Sequence, residues 1–205
     1  MTPFYCFAYW VTRVIFGMVY HITYIGREKV PAAGGYLIVA NHGYFKDPVI
    51  LAHGLRRQVY FMAKQEFFQN FFLRHLFSWL GVFPVNRGAG DMGAIHKGVE
   101  LIREGRLVAL FPEGGRNRSG GPMKAKSGAA LIARQTKADI IPCGISFGGG
   151  KGFRARLTVR FGDPIPYGAL GFEDEENPAS LRRVSKLIAG EVNRLREDLH
   201  EDSDG

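Results

Sequence analysis

The sequence predicts an α/β protein with a mixed, largely parallel sheet, helical crossovers and an N-terminal membrane-associated helix. Short apolar runs, which are typical of buried strands, alternate along the chain with amphipathic stretches of helical period. The runs that we predict as strands lie at residues 36–40, 59–62, 107–111, 140–145 and 157–161. Strands that alternate with helices favour parallel pairing, because each helix returns the chain to the edge of the sheet from which it started.

The first element is an apolar segment over residues 3–20, in which Arg13 is the only charged residue. It just reaches the ~17–25 residues that a membrane-spanning helix needs. Its polar positions fall near one helical stripe, which favours a helix lying on the membrane over one crossing it. No charged region precedes the run and no small-residue cleavage site follows it, so we do not expect a signal peptide. A buried core helix is the alternative.

The remaining elements follow from periodicity and from chain breaks. Residues 66–83 are rich in phenylalanine and predict a helix that lies against lipid or, alternatively, faces the core. Ile95, Val99 and Ile102 recur at helical spacing, and an alanine-rich stretch at 129–133 predicts a second crossover helix. A surface connection precedes a last helix at about 179–199. We therefore divide the chain into a membrane-associated segment, residues 1–24, and one domain, residues 25–205.

The composition limits the classes of molecule that we expect the protein to bind. The chain has 27 Lys and Arg against 19 Asp and Glu, a formal net charge of +8, and the acidic residues are concentrated after residue 170. A basic surface attracts nucleic acid, anionic lipid or an acidic carrier protein. Because 13% of the residues are aromatic, we expect a membrane partner and no nucleic acid. Two cysteines, Cys6 and Cys143, are too few for a disulfide framework and fit a reducing compartment.

The first candidate site is the segment Asn41 to Asp47, directly after the predicted strand at 36–40. Active sites of α/β proteins usually lie in loops at the carboxyl ends of strands. An imidazole and a carboxylate five positions apart can meet across a tight turn, so that Asp47 fixes the tautomer of His42. Such a pair also arises by chance and is often structural, so it needs support from other segments.

Two further strand-end segments supply that support. Residues 110–120, LFPEGGRNRSG, combine a carboxylate, glycines and arginines after a strand. Glycines let backbone N–H groups approach an anion, and an arginine fork matches the geometry of phosphate. The alternative is an ordinary glycine-rich turn with solvated arginines. Residues 81–88, GVFPVNRG, place Arg87 after another short apolar strand.

With these segments the chain resembles the glycerolipid acyltransferase family, in particular the 1-acylglycerol-3-phosphate acyltransferases. Four blocks match in order. The first block of the family is similar to Asn41, His42 and Asp47, and the second is similar to Gly81, Phe83 and Arg87. The third is similar to Phe111, Pro112, Glu113, Gly114 and Arg116, and the fourth to Ile140, Ile141 and Pro142. Gly115 stands where the family usually has Thr, so a hydroxyl contact at that place is missing.

The resemblance implies that residues 25–205 transfer a fatty acyl group from acyl-CoA or acyl carrier protein to the free hydroxyl of lysophosphatidate. His42 would be the general base, with Asp47 holding its ring. The residues that would bind the substrate are Lys64, Arg87, Glu113, Gly114 and Arg116. Neither a cofactor nor a metal is implied, since the histidines are scattered and lack ligand partners at suitable spacing. We expect a peripheral or monotopic location on the cell membrane with the catalytic domain facing the cytoplasm, and residues 66–83 could also line an acyl tunnel.

Other functions remain open at this level. The acceptor could be another lysophospholipid or a lyso-aminolipid. Residues 144–148 read Gly-Ile-Ser-Phe-Gly, which matches the nucleophile elbow of serine hydrolases around Ser146. That elbow requires a helix immediately after the serine, whereas a glycine-rich loop and another strand are predicted here. A non-catalytic basic module that binds membrane or nucleic acid would leave His42 and Asp47 unexplained.

Overall fold

A seven-stranded sheet in the order β1-β7-β6-β2-β5-β3-β4 forms the centre of the computed structural model, which describes residues 1–86, 91–117, 121–148, 154–172 and 177–201. The strands are β1 Tyr20–Ile25, β2 Tyr36–Ala40, β3 Val59–Lys64, β4 Val82–Val85, β5 Leu107–Leu110, β6 Ile140–Phe147 and β7 Ala155–Phe161. The helices are α1 Pro3–Val19, α2 Asp47–His53, α3 Phe71–Trp79, α4 Met92–Arg103, α5 Gly128–Thr136 and α6 Pro178–Glu201.

The sheet is mixed and mostly parallel, as the sequence predicts. Strands β2 to β6 run parallel to one another, with β2 between β5 and β6. Strand β7 is antiparallel to β6, and β1 is parallel to β7, so the β1–β7 pair runs against the other five. The carboxyl ends of the five parallel strands therefore share one edge of the sheet with the beginnings of β1 and β7.

Helices cover both faces of the sheet and give two hydrophobic clusters. Alternate residues of β2 supply both: Leu37 and Val39 pack with α4, α5 and α6, whereas Ile38 and Ala40 pack with α2. This two-residue alternation is the usual consequence of the pleat, and burial on both faces explains why the strand reads as a continuous apolar run.

Helix α1 packs along α2 and the sheet. The Thr2 hydroxyl caps it by accepting from the Tyr5 N–H, and Pro3 occupies the first turn. Tyr5 is buried, its hydroxyl accepts from the Val59 N–H at 3.4 Å, and burial raises the pKa of Tyr5 to about 12. Across residues 1–86, 91–117, 121–148, 154–172 and 177–201, no helix combines the length and apolarity needed to cross a membrane.

Strand β1 is an element that the sequence reasoning did not predict. Its residues alternate between half-buried and exposed, so that Tyr20–Ile25 lacks the apolar run by which the other strands were found. It pairs with β7 along its whole length, from Tyr20 opposite Ala155 to Ile25 opposite Arg160. The boundary that we placed after residue 24 falls inside this strand; the separation of residues 1–24 from the domain stays a prediction.

The helix predicted over residues 66–83 forms only in part. A 3-10 turn at Gln65–Phe68 precedes α3, and β4 begins at Val82. The Asn70 side chain caps α3 by accepting from two backbone N–H groups, and Gly81, with a positive φ of 78°, follows its end. The aromatic residues of this stretch therefore divide between the core and an exposed face of α3.

The entry into β2 requires glycine at position 35. An ideal Cβ on Gly35 would lie 1.9 Å from the Ile102 carbonyl oxygen of α4, which is an impossible contact. We expect Gly35→Ala to lower the free energy of unfolding by about 1–3 kcal/mol, as overpacking does. Gly190→Ala is the control, because a Cβ there meets nothing within 4 Å and alanine favours the helix. Thermal unfolding should show a lower Tm for the first variant only; equal Tm values would contradict the packing.

Candidate active site

The candidate site lies where the chain leaves β2 and β5, at the carboxyl edge of the sheet. The two strands pair in parallel, so the loop of residues 41–47 after β2 and the loop of residues 111–117 after β5 emerge side by side. The site thus combines the first and third sequence blocks, which are about 70 residues apart along the chain.

Asn41 fixes the start of the first loop. Its side chain is buried, with Nδ2 donating to the Ile145 carbonyl at 2.9 Å and Oδ1 accepting from the Ile145 N–H at 2.8 Å. The amide therefore imitates one more residue of the β2–β6 ladder, since it offers both a donor and an acceptor in the plane of the sheet. Only Asn or Gln can make this pair of hydrogen bonds, and the shorter side chain fits here.

His42 and Asp47 form a hydrogen-bonded pair, as predicted from their spacing. The His42 Nδ1 lies 3.0 Å from Asp47 Oδ2. The same oxygen accepts from the backbone N–H groups of Gly43 and Tyr44, both at 2.8 Å. Because Asp47 is an acceptor, Nδ1 carries the proton, and the lone pair of the neutral ring is on Nε2.

The pair is buried. Asp47 is fully buried as the first residue of α2, and His42 is 9% exposed. A carboxylate at a helix N-terminus is favoured by the helix dipole, which adds to the three N–H groups around Oδ2. The Phe111 ring stacks on the His42 ring with centroids 4.4 Å apart. In the described part of the chain, Nε2 of His42 makes no hydrogen bond, so that nitrogen is free to act on a substrate.

The loop after β5 closes over His42 through two backbone contacts. Glu113 Oε2 accepts from the His42 N–H at 2.7 Å, and the Asn117 N–H donates to the His42 carbonyl at 2.7 Å. Glu113 therefore holds the backbone of the histidine. Gly114 has a positive φ of 71°, a conformation that favours glycine, and a Cβ there would meet the Lys126 ammonium at 2.7 Å.

Of the predicted phosphate contacts, Arg116 lies on this loop and Lys64 lies farther along the sheet edge. Arg116 is exposed on the loop itself and makes no side-chain hydrogen bond in the described structure. Lys64 ends β3, two strands from β2 and hence roughly 10 Å to the side. Its ammonium pairs with Glu66 at 2.6 Å. A Cβ on Gly115 would meet nothing within 4 Å, so the position usually held by Thr is open space.

Arg87 lies outside the described residues. Asn86, directly before it, follows the end of β4, which pairs with β3 up to Lys64 opposite Val85. The Asn86 N–H donates to Asp91 Oδ2 at 2.7 Å across the segment that contains Arg87. This hydrogen bond is the largest contribution to the lowered pKa of the Asp91 carboxyl.

Lys126 is a cation at the site that the sequence reasoning missed. Its backbone N–H donates to the Pro112 carbonyl at 2.9 Å, and its side chain lies across Gly114. The residue precedes α5, about ten positions after the third block, and the short basic stretch Lys-Ala-Lys at 124–126 was the available signal.

Neither rival nucleophile is suitably placed. Ser146 is 5% exposed and lies within β6, where it pairs with Thr158 of β7, so no helix begins after it as a nucleophile elbow requires. Cys143 is fully buried in the same strand; burial, and then the charge of Asp47, raise the pKa of its thiol. Among the described residues, no group of three His, Cys, Asp or Glu side chains could hold a metal ion.

Comparison with known proteins identifies the family of the chain. The model of a family described as Acyltransferase matches residues 21–146, which include the His42–Asp47 pair and Ser146. The chain belongs to this acyltransferase family. The matched region of the acyltransferase spans more than half of its 205 residues and covers all the described candidate residues.

Relatives of the acyltransferase carry a more specific name. A 1-acyl-sn-glycerol-3-phosphate acyltransferase of Bacillus subtilis is 30% identical over 75% of this chain and 78% of its own. One of Streptococcus pneumoniae is 31% identical over 85% of this chain and 66% of its own length. The solved structure of the 1-acyl-sn-glycerophosphate acyltransferase PlsC from Thermotoga maritima shares the fold, with a TM-score of 0.71 at 22% identity over 92% of this chain and 76% of that one.

The role of Asn41 can be tested by exchanging one atom. In Asn41→Asp, the carboxylate still accepts from the Ile145 N–H but faces the Ile145 carbonyl without a donor. Because unpaired buried polar groups cost about 1–3 kcal/mol, we expect a lower free energy of unfolding together with lower kcat. Asn70→Asp is the control, since that side chain only accepts hydrogen bonds, as the cap of α3. Urea unfolding and turnover measured on both variants should separate them; similar losses would contradict the proposed geometry.

Proposed function

We propose that the protein transfers a fatty acyl group from an acyl thioester to the free hydroxyl of lysophosphatidate, forming phosphatidate in phospholipid biosynthesis. The observation that carries the proposal is the buried His42–Asp47 pair, whose Nε2 has no hydrogen-bond partner among the described residues and lies at the edge of the sheet. The names of the Bacillus and Streptococcus relatives support lysophosphatidate as the acceptor.

His42 acts as general base on the acceptor in this mechanism. Its Nε2 takes the hydroxyl proton while the hydroxyl oxygen attacks the thioester carbonyl, and Asp47 stabilises the imidazolium that results. The tetrahedral intermediate then expels the thiolate, which takes the proton back from Nε2 and leaves as a thiol. The O–acyl bond replaces the S–acyl bond without a covalent acyl-enzyme, so no serine or cysteine nucleophile is needed.

The acceptor phosphate is held by cations around the loop of residues 111–117. Arg116 and Lys126 are exposed cations beside the backbone that closes over His42, and Lys64 lies farther along the same edge of the sheet. Arg87 remains a further candidate from the resemblance. Arginine offers phosphate a planar pair of donors, whereas lysine offers a point charge. Glu113 and Gly114 contribute by shaping the loop rather than by charge.

The donor is acyl-CoA or acyl carrier protein on this proposal, and no cofactor is needed because the thioester brings its own activated carbonyl. Acylation of another lysophospholipid, or of a lyso-aminolipid, is the second candidate. The open space beside Gly115 favours it, since a bulkier headgroup could occupy the volume in which a threonine side chain would otherwise stand.

We also propose that the enzyme works at the cytoplasmic face of the cell membrane, attached through two helices. Helix α1 exposes Phe7, Trp10, Val14, Ile15 and Met18, and α3 exposes Phe71, Phe72 and Trp79. The two helices touch, with the Phe4 and Trp79 rings 5.1 Å apart, so the exposed side chains belong to one apolar surface. An apolar helix face flanked by a basic body suits an interfacial attachment to anionic lipid. Helix α1 would serve as attachment and residues 25–205 as the catalytic domain.

The general-base role predicts a specific pattern of losses. We expect His42→Ala to lower kcat by ~10²–10⁴-fold, the usual contribution of one general base. Asp47→Asn should be nearly as damaging, because the amide oxygen can still accept from Nδ1–H but carries no negative charge to stabilise the imidazolium. Ser146→Ala is the control and should keep most activity. The measurement is the rate of acyl transfer by the purified variants. An active His42→Ala variant together with an inactive Ser146→Ala variant would establish the hydrolase alternative.

The phosphate role of Arg116 predicts selectivity between acceptors. Charge-assisted hydrogen bonds contribute ~1.5–3 kcal/mol, so Arg116→Ala should lower kcat/KM for lysophosphatidate by roughly ten- to hundredfold. Transfer to monoacylglycerol, which lacks the phosphate, should change little, and Arg116→Lys should rescue only partly. Arg182→Ala, an exposed charge on α6, is the matched control. Equal losses with both acceptors would mean that Arg116 supports the loop or the acyl donor instead.

A further inference from the structure

A cavity separate from the catalytic edge lies between α1 and the end of α2. Its volume is about 370 Å³, and its walls include Tyr9, Trp10, Arg13, Arg27, His53 and Arg56. Helix α2 begins with Asp47 at the catalytic edge and ends with His53, so the cavity lies one helix length, roughly 10 Å, from the catalytic pair. Nothing in the proposed reaction uses its residues.

Three arginines concentrate positive charge in this cavity. Arg13, Arg27 and Arg56 have no carboxylate partner within 4.0 Å among the residues that the structure describes. Arg13 is held in place, since its Nη1 donates to the His53 carbonyl at 2.9 Å and to the Tyr9 hydroxyl at 3.2 Å. Arg27 and Arg56 are exposed at the mouth. Uncompensated guanidinium groups that converge on one cavity are a typical arrangement for a phosphate.

His53 supplies an independent sign of a ligand. It is 3% exposed, and its Nε2 lies 2.8 Å from the Thr12 hydroxyl, which itself donates to the Ala8 carbonyl at 2.7 Å. Thr12 therefore accepts from Nε2–H, and the proton of the neutral ring is on Nε2. Within the part of the chain that the structure describes, Nδ1 is a buried acceptor without a partner, which is uncommon in folded proteins. Burial, followed by the charge of Arg13, lowers the pKa of His53 to about 4, so the ring is neutral at pH 7.

The cavity opens beside the exposed apolar face of α1. Trp10 is 63% exposed and belongs both to the cavity wall and to that face, together with Phe7 and Val14. A ligand in the cavity would therefore have its charged end among arginines and its remaining part beside a surface suited to lipid. Tryptophan is enriched at the level of headgroups for the same reason, since its ring is apolar and its N–H is polar.

We infer that this cavity binds the phosphate-bearing, hydroxylated headgroup of an anionic phospholipid, at a site separate from the catalytic one. The arginines bind the phosphate, and the headgroup lies beside the His53 ring. The volume suits a headgroup, being at the low end of small-molecule sites. The site extends the proposed membrane attachment and does not depend on acyl transfer, so binding can be measured without turnover.

The test compares two double variants of the full chain on vesicles. Arg27→Gln with Arg56→Gln removes two charges at the cavity mouth, and Arg182→Gln with Lys186→Gln removes two exposed charges from α6 on the other face of the sheet. Phosphatidylcholine vesicles report the apolar attachment alone, whereas added phosphatidylglycerol reports the anionic headgroup. We expect phosphatidylglycerol to tighten wild-type binding, and the cavity variant to lose roughly tenfold or more of that gain while the α6 variant keeps most of it.

A second measurement locates the ligand. Short-chain phosphatidylglycerol below its micelle concentration should shift the ring resonances of His53, and glycerol 3-phosphate at the same concentration should not. Equal losses in both double variants, or an unmoved His53, would overturn the site. A His53 shift of the same size with glycerol 3-phosphate would overturn the lipid as its occupant in favour of a soluble phosphate ester. If the wild-type protein does not bind neutral vesicles, the proposed attachment through α1 and α3 is wrong. The His53 measurement then tests the cavity independently.

Discussion

One carboxylate oxygen organises the catalytic edge of this protein. Asp47 Oδ2 accepts from the His42 ring and from two successive backbone N–H groups, so a single buried acceptor determines the tautomer, the ring orientation and the path of the loop between them. The loop has no regular secondary structure of its own, and its other supports are the Asn41 amide on β6 and the Glu113 carboxylate after β5. The three supports involve the neighbouring strands β2, β5 and β6, which is why the site needs the order of the sheet.

The sequence was sufficient to predict the central strands and the contact between His42 and Asp47, and insufficient for the edge strand, the divided helix and Lys126. Strands buried on both faces must be largely apolar, so β2, β5 and the first six residues of β6 lie where the apolar runs predict them. Strand β1 was not predicted, because the side chains of this edge strand alternate between half-buried and exposed positions and form no continuous apolar run. The stretch 66–83 looked like one helix because its aromatic content is uniform; the cap at Asn70 and the turn at Gly81 divide it, and both are single-residue signals. Lys126 could not be assigned, since only the fold brings its side chain across Gly114.

Helix α2 links features that the sequence presents as separate. Its first residue is Asp47, and the carbonyl of its last residue, His53, accepts from Arg13 and Tyr9 of α1. A cation at a helix C-terminus interacts favourably with the helix dipole, so Arg13 stabilises the end of the same helix whose beginning carries the catalytic carboxylate. In the middle, the Tyr24 hydroxyl of β1 donates to the Ile50 carbonyl. The N-terminal segment therefore supports the position of Asp47 by packing and hydrogen bonding, in addition to any contact with lipid.

The reversed direction of β1 places the end of α1 beside the catalytic loop. Because β1 runs against the five parallel strands, its first residue, Tyr20, lies at the same edge as His42, and α1 ends there. The Lys46 ammonium donates to the Tyr20 hydroxyl at 2.9 Å and lies 4.6 Å from the centroid of the Phe147 ring, which joins the catalytic loop to the end of α1. On the proposed attachment, the exposed face of α1 rests in the interface along its length, so the loop beside its last turn is held at headgroup depth. A lysophospholipid could then present its hydroxyl to Nε2 of His42 while its acyl chain stays in the bilayer, which avoids the cost of moving that chain through water.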